Sequence, residues 1–304
     1  MTISSTTFYT SSLSGILNQQ SSISNLNQQI ASGNKLLTAA DNPVVASQIM
    51  SLNDSVSLST QYTANQQSIS QNQSEETTIL NQLQTDLASA QQSLSSVNAS
   101  TDQTTKNSAA ATLNGLYQQI VDLANSQDTN GNYLFSGLSS NVKPYNPTTG
   151  VYSGNDGTRQ VQISQGQTVQ ANDSLSTVMQ VQSSASVNGG SPTSTLLTNI
   201  NQAIQALQGT TTSATALSDA YTSVTNALSS LQSVQSSLAG RQQQVVNQQS
   251  LTKQLTATDQ NTLSNLSQVD QASAIVELQL RQTSLQAAES AFASTSKLSI
   301  FNYL

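Results

Sequence analysis

Few side chains in this sequence could do chemistry, and they are widely spaced. Glu75-Glu76 is the one adjacent pair of acids. Two carboxyls could divide a proton between them as an acid–base dyad, but neighbours on a helix do not face one another. A solvated helix face is the expectation there. Asp128-Thr129-Asn130-Gly131-Asn132 opens like a calcium loop. Its glycine falls at the fourth place instead of the sixth, and Ser139 stands at the twelfth where a bidentate Glu belongs. A turn is expected instead. Histidine and cysteine are both absent, which removes imidazole bases, thiol nucleophiles, disulfides and the commonest transition-metal ligands. Serine is abundant, but no imidazole is present to activate it. The sequence reads as a non-enzyme with no catalytic residue, no cofactor and no metal.

Composition points the same way. The 304 residues carry 15 acids and 8 bases, a net charge of −7. Charged residues make up 8%, against roughly 25% in an average soluble protein. Such a chain does not attract phosphate backbones, so nucleic acid is not an expected partner. No apolar run approaches the roughly 20 residues needed to cross a bilayer, so neither is a membrane. Met1-Thr2-Ile3-Ser4-Ser5 through Tyr9 has no basic start and no apolar stretch. A chain that stays in the cytosol, or leaves by a route that reads no cleaved signal, is expected. A surface of amides and hydroxyls does not titrate, so melting from pH 4 to 8 is expected to be nearly flat.

Helix breakers divide the chain. Its four prolines are Pro43, Pro144, Pro147 and Pro192, and eight of its 13 glycines lie between Gly131 and Gly190. Two long helical arms around a turn-rich insert follow from this. The arms carry apolar residues at alternating spacings of three and four: Leu80, Leu83, Leu87, Ala90, Leu94 and Val97, then Ala109 to Leu123, then Val224 to Leu238. The stretch from Pro43 to Asn98 contains no breaker, and a helix of about 50 residues is roughly 75 Å long. In the insert, Asn132–Phe135, Arg159–Ile163, Gln167–Val169 and Thr177–Val181 read as short strands. The fold expected is mainly α: an elongated coiled-coil helical bundle built from both termini, with a small β-rich domain inserted in the middle. Three regions are expected: 1–40 with 265–304 as a terminal coiled coil, 41–130 with 191–264 as a long-helix bundle, and 131–190 as the outer β-rich domain.

The two ends carry the functional argument. Ile16, Ile23 and Ile30 recur every seven residues with Leu26 between them, and Leu278, Leu285 and Phe292 do the same near the other end. No charged side chain precedes Lys35, so no i,i+4 ion pairs support the first helix. Ser, Thr and Asn compete with the helix for backbone hydrogen bonds. The ends are therefore expected to stay unfolded in a free monomer and to fold against each other or a neighbouring copy. Ser32-Gly33 stops the first helix, and Asp41-Asn42-Pro43 supplies a capping side chain with proline at the first helical position of the next.

These motifs, in order along the chain, resemble the flagellin superfamily. The Met1–Ser5 start with Tyr9 resembles the start of a member at the junction of hook and filament. Ile30-Ala31-Ser32-Gly33 followed by Asp41-Asn42-Pro43 resembles the family's Ser-Gly … Asp-Asp-Pro element, with Asn42 in place of the second acid. Asn130-Gly131-Asn132-Tyr133-Leu134-Phe135-Ser136-Gly137 resembles the entry to an outer domain, and Ala239-Gly240-Arg241 the step on the return helix. Leu285-Gln286-Ala287-Ala288 and Ser299-Ile300-Phe301-Asn302-Tyr303-Leu304 resemble the last helix and its end. The acidic cluster before that helix is reduced to Val269-Asp270. The resemblance implies a structural subunit of the flagellum at the hook–filament junction, exported through the flagellar type III channel to the cell exterior. It implies self-association in a ring through paired terminal helices, and contacts with flagellin, the first hook-associated protein and an export chaperone. Flagellin itself, or a secreted coiled-coil adhesin or type III translocator, are the alternatives.

Overall fold

A computed structural model describes residues 5–182, 193–209 and 213–297. The 1–4 start, the 299–304 end, Pro192 and the 183–190 end of the expected outer domain lie outside these residues. The described residues form six helices: α1 (Ser5–Ser32), α2 (Pro43–Ser95), α3 (Gln103–Ala124), α4 (Thr195–Gln208), α5 (Ala214–Ser267) and α6 (Gln271–Lys297). Four short strands accompany them: β1 (Gln160–Ser164), β2 (Gln167–Gln170), β3 (Val181–Gln182) and β4 (Thr193–Ser194). The protein is mainly α with a small antiparallel β element, as its periodicities require. The chain divides into two compact units, Met1–Leu58 with Gln254–Leu304, and Ser59–Lys253.

The unit Ser59–Lys253 holds the main core. Leu80, Leu83, Leu87, Ala90, Leu94 and Val97 are all buried, together with Leu113, Ile120, Val224 and Leu231. The spacing that marks these residues in the sequence is the spacing of one helix face, and burying that face stabilises the helices. Caps set their limits. Asp102 Oδ1 accepts the Thr105 N–H at 2.9 Å and starts α3. Ser194 Oγ accepts the Leu197 N–H at 3.2 Å and starts α4.

Polar side chains register α5 against α2. Gln235, Gln242 and Gln249 recur every seven residues. Gln235 Nε2 donates to Asn81 Oδ1 at 3.1 Å, Gln242 Nε2 to Thr77 Oγ1 at 2.9 Å, and Gln249 Nε2 to the Gln66 carbonyl at 3.4 Å. Targets that descend along α2 as donors ascend along α5 show the two helices to be antiparallel here. Long amides at heptad spacing do what ion pairs do in charge-rich coiled coils.

The insert differs from its sequence reading in part. β1 and β2 form an antiparallel hairpin, with a register irregularity between Gln162 and Ser164. Ile163, Val169 and Ala171 pack with Ile69 of α2 and Val245 of α5. Residues 132–135 form no strand, because the chain folds back on itself there. The Tyr133 N–H donates to the Ser140 carbonyl at 2.7 Å and the Leu134 N–H to the Ser126 carbonyl at 3.0 Å. Gly137 sits at φ +69°, and a Cβ there would collide with the Asn155 carbonyl oxygen. Only glycine fits both the angle and the contact. Residues 177–180 form a turn leading into β3.

Glu75-Glu76 also departs from expectation. Glu75 is half-buried, whereas Glu76 is 4% exposed and belongs to the interior. The helix turns adjacent residues apart, as expected, but it turns Glu76 inward toward Asp173 and Arg241.

Candidate assembly surface

α1 and α6 pack against each other within the unit Met1–Leu58 with Gln254–Leu304. Local sequence sets both facing ends. α1 stops at Ser32 because Gly33 takes φ +72° and returns its N–H to the Gln29 carbonyl at 2.8 Å. Ser32 Oγ accepts the Asn34 N–H at 3.2 Å. α6 starts after Asp270, whose carboxylate accepts Ser273 Oγ at 2.8 Å and the Ala272 N–H at 3.1 Å. The Ser273 hydroxyl first, then its N–H, holds the Asp270 carboxyl below its ordinary range. Between these caps Asn34 and Gln268 form an isolated antiparallel bridge. The Lys35 N–H donates to the Ser267 carbonyl at 2.7 Å and the Val269 N–H to the Gly33 carbonyl at 3.0 Å. Main-chain bonds therefore tie the end of α1 to the start of α6.

The pair runs antiparallel from that tie. Gln19 Nε2 donates to the Arg281 carbonyl at 3.3 Å, and the rings of Tyr9 and Phe292 meet at 4.8 Å between centroids. The turn into α2 is braced separately. Asp41 accepts the N–H groups of Thr38 at 2.8 Å and Leu37 at 2.9 Å. The Thr38 N–H is the largest cause of its lowered pKa. Asn42 Oδ1 accepts the Val45 N–H at 3.1 Å, so Asn42 is the cap before Pro43 and Asp41 holds the preceding turn.

The residues singled out in the sequence fall into two groups. Ile16, Ile23, Leu26 and Ile30 on α1 and Leu278, Leu285 and Phe292 on α6 share the terminal unit, and all seven are half-buried. Ser32, Gly33, Asp41, Pro43 and Asp270 frame the same helices. Tyr133, Phe135, Gly137, Gly240 and Arg241 belong to the unit Ser59–Lys253. There Phe135 is fully buried and Arg241 pairs with Asp173. Gly240 lies inside α5 with open space where a Cβ would go.

A second apolar stripe escaped the seam reading. Leu13 and Leu17 on α1 are 41% and 55% exposed, and Val276 and Leu280 on α6 are 65% and 67% exposed. Each pair is spaced i,i+4 and therefore shares a helix face. That spacing was available in the sequence, hidden by the stronger heptads beside it. Each helix of the α1–α6 pair thus leaves an apolar pair exposed beside its half-buried heptad residues. No helix is long and apolar enough to cross a membrane among the described residues.

The N-terminal helical region of bacterial flagellin matches residues 3–140. Flagellar hook-associated protein 3 of Salmonella typhimurium is 31% identical over 157 residues, which span 51% of this chain and 50% of that protein. Flagellar hook-associated protein 3 of Escherichia coli is 26% identical over 313 residues, covering 99% of both chains. The chain is thus similar to flagellin over its first 140 residues and to hook-associated protein 3 along its whole length. It also shares its fold with a Vibrio parahaemolyticus protein described as flagellar hook-associated. That likeness has a TM-score of 0.66 and 18% identity, over 75% of this chain and 100% of that one.

Proposed function

We propose that this chain is a structural subunit of the bacterial flagellum that forms the junction between hook and filament. The observation that carries the reading is the α1–α6 pair, capped at one end and left apolar on an open face. Covering a fully exposed Leu or Val contributes roughly 1.5–3 kcal/mol, and copies of the same pair stacked in a ring would supply the cover. Correspondence with hook-associated protein 3 along 99% of both chains supports a junction role over that of flagellin itself. An adhesin or translocator would need a receptor-binding or membrane-active segment, and no motif or helix suggests one. The role is mechanical and has no place for a catalytic residue.

On this reading the subunit works outside the cell, after export. Its neighbours are further copies of itself, the first hook-associated protein on one side and flagellin on the other, with an export chaperone before assembly. Residues 1–40 and 265–304 gain their order from these neighbours. The region 41–130 with 191–264 forms the body that presents them, and 131–190 the outer domain. Deleting residues 290–304 tests this directly. The truncated chain is expected to keep the melting transition of the Ser59–Lys253 unit while cells secrete flagellin unpolymerised. Normal filaments grown on the truncated chain would end the proposal.

A further inference from the structure

Three charged side chains from three elements meet inside the unit Ser59–Lys253. Glu76 projects from α2, Asp173 follows β2, and Arg241 projects from α5. Arg241 pairs with Asp173, and their side chains are 13% and 10% exposed. Gln170, the last residue of β2, donates Nε2 to Asp173 Oδ1 at 2.7 Å. Arg241 Nη1 donates to Ser237 Oγ at 3.1 Å. Asp173 therefore ties the end of the hairpin to α5, with Glu76 acting on it from α2. The rest of the hairpin's seat does not titrate: Ile163, Val169 and Ala171 lie against Ile69 and Val245, and Asn65 Nδ2 and Gln66 Nε2 of α2 donate to the Gln162 and Ile163 carbonyls at 2.8 and 2.6 Å.

Charge decides what this cluster can tolerate. Two ionised carboxyls with one guanidinium leave a net negative charge in a buried place, where Glu76 Oε1 has no hydrogen-bond partner. Unpaired buried charge is strongly unfavourable. One proton on Glu76 makes the cluster neutral and lets the two carboxyls share a hydrogen bond. Burial first, then the charge and hydrogen bond of Asp173, push Glu76 up to about 9, against the opposing pull of Arg241. Asp173 from the segment after β2 and Arg241 from α5 are the charged groups acting on it. Glu75, next along α2, points elsewhere.

We propose that Glu76, Asp173 and Arg241 form a proton-held latch: one proton between the two carboxyls keeps the β1–β2 hairpin seated on α2 and α5. When the proton passes to solvent, the carboxylates repel and the hairpin lifts while the leucine core stays closed. The latch lies within the unit Ser59–Lys253 and does not depend on the assembly reading.

Because the chain has no cysteine, single labels are unambiguous. A spin label at Thr168→Cys reports the hairpin, one at Gln232→Cys reports α5, and both positions are exposed. Between pH 6 and 10 the hairpin label is expected to pass from an immobilised to a mobile spectrum, with a midpoint near the Glu76 value. The α5 label is expected to stay unchanged, and Glu76→Gln to keep the hairpin label immobilised throughout. A hairpin label that stays immobilised to pH 10, equal behaviour with and without Glu76→Gln, or simultaneous mobilisation of both labels would overturn the latch. If Glu76→Gln does not fold, the carboxyl carbon shift of Glu76 in the unsubstituted chain decides. Titration in step with the Val161 and Val169 amides supports the latch, and titration in the ordinary carboxylate range refutes it.

Discussion

In the unit Ser59–Lys253, Leu83, Leu87, Leu113 and Ile120 are completely buried. In the terminal unit, Ala274 is the one buried hydrophobic residue among those described, while Leu17, Val276 and Leu280 are 55% to 67% exposed. Both regions use the same apolar residues at the same helical spacing. They differ in how many faces find cover. α3 and α4 pack together over the inner core, and the hairpin covers part of α2 and α5. α1 and α6 spend one face on each other and leave the next uncovered. One unit closes its apolar faces within itself, and the other leaves apolar residues open that, on the proposed reading, a neighbouring copy covers.

The largest effects should separate these units by what they lose. Leu17→Asp with Leu280→Asp places charge on the open face. Assembly onto hook ends is expected to fall at least about tenfold, since even one buried leucine contributes more than a decade in affinity. The soluble protein's melting should barely move. Sedimentation of assembled particles beside a thermal melt checks both, and undiminished assembly would erase the contrast. Leu87→Ala or Leu113→Ala should do the reverse. Cavity formation is expected to lower the stability of the unit Ser59–Lys253 by about 2–5 kcal/mol, read by urea unfolding, while chains that remain folded still assemble.

Next in size is the response to pH. The folded state holds the Glu76 proton up to about 9, whereas an unfolded glutamate releases it near its ordinary value of about 4.3. The resulting stability is complete below that ordinary value and is lost as pH rises through about 9. The unfolding free energy should therefore fall from pH 5 to pH 9, by at most about 1.4 kcal/mol per pH unit, and the melting midpoint should fall with it. Glu76→Gln should remove the slope. The flat profile that the amide-rich composition alone suggests thus gives way to a declining one, and a flat melt in the unsubstituted chain would mean that Glu76 is ionised. Asp41, Asp102 and Asp270 act in the opposite sense. Hydrogen bonds lower their folded pKa values. Their contribution is present above the ordinary carboxylate range and lost as pH falls through those lowered values.

The smallest expected effect is that of a single cap. Ser194→Ala removes the acceptor for the Leu197 N–H and the donor to the Met179 carbonyl. It should cost the unit Ser59–Lys253 about 0.5–2 kcal/mol, measured by chemical denaturation. An effect as large as that of Leu87→Ala would show that the cap holds more than one helix end.

Much of the fold was legible because it rests on local rules. The stripe from Leu80 to Val97 announces a helix face, and Gly33 and Pro43 mark a stop and a start whatever lies around them. The hairpin from Arg159 to Val169 shows its alternation. Asn132–Phe135 shows the same composition, yet Tyr133 and Leu134 spend their backbone donors on Ser140 and Ser126. Nothing local reveals that competition. Arg241 and Asp173 are separated by β3, β4, α4 and the first half of α5, so their ion pair had no signature in spacing.

The sequence by itself determined that this protein would be helical, free of imidazole and thiol chemistry, and apolar along stripes at both ends. Periodicity and composition are properties of neighbouring residues and need no fold to act. Only the tertiary structure decided which stripe is covered and which stays open, and that Glu76 faces a second carboxyl while Glu75 does not. Burial and charge coupling depend on groups brought together from distant parts of the chain, and the free energy of a side chain follows from what surrounds it in space.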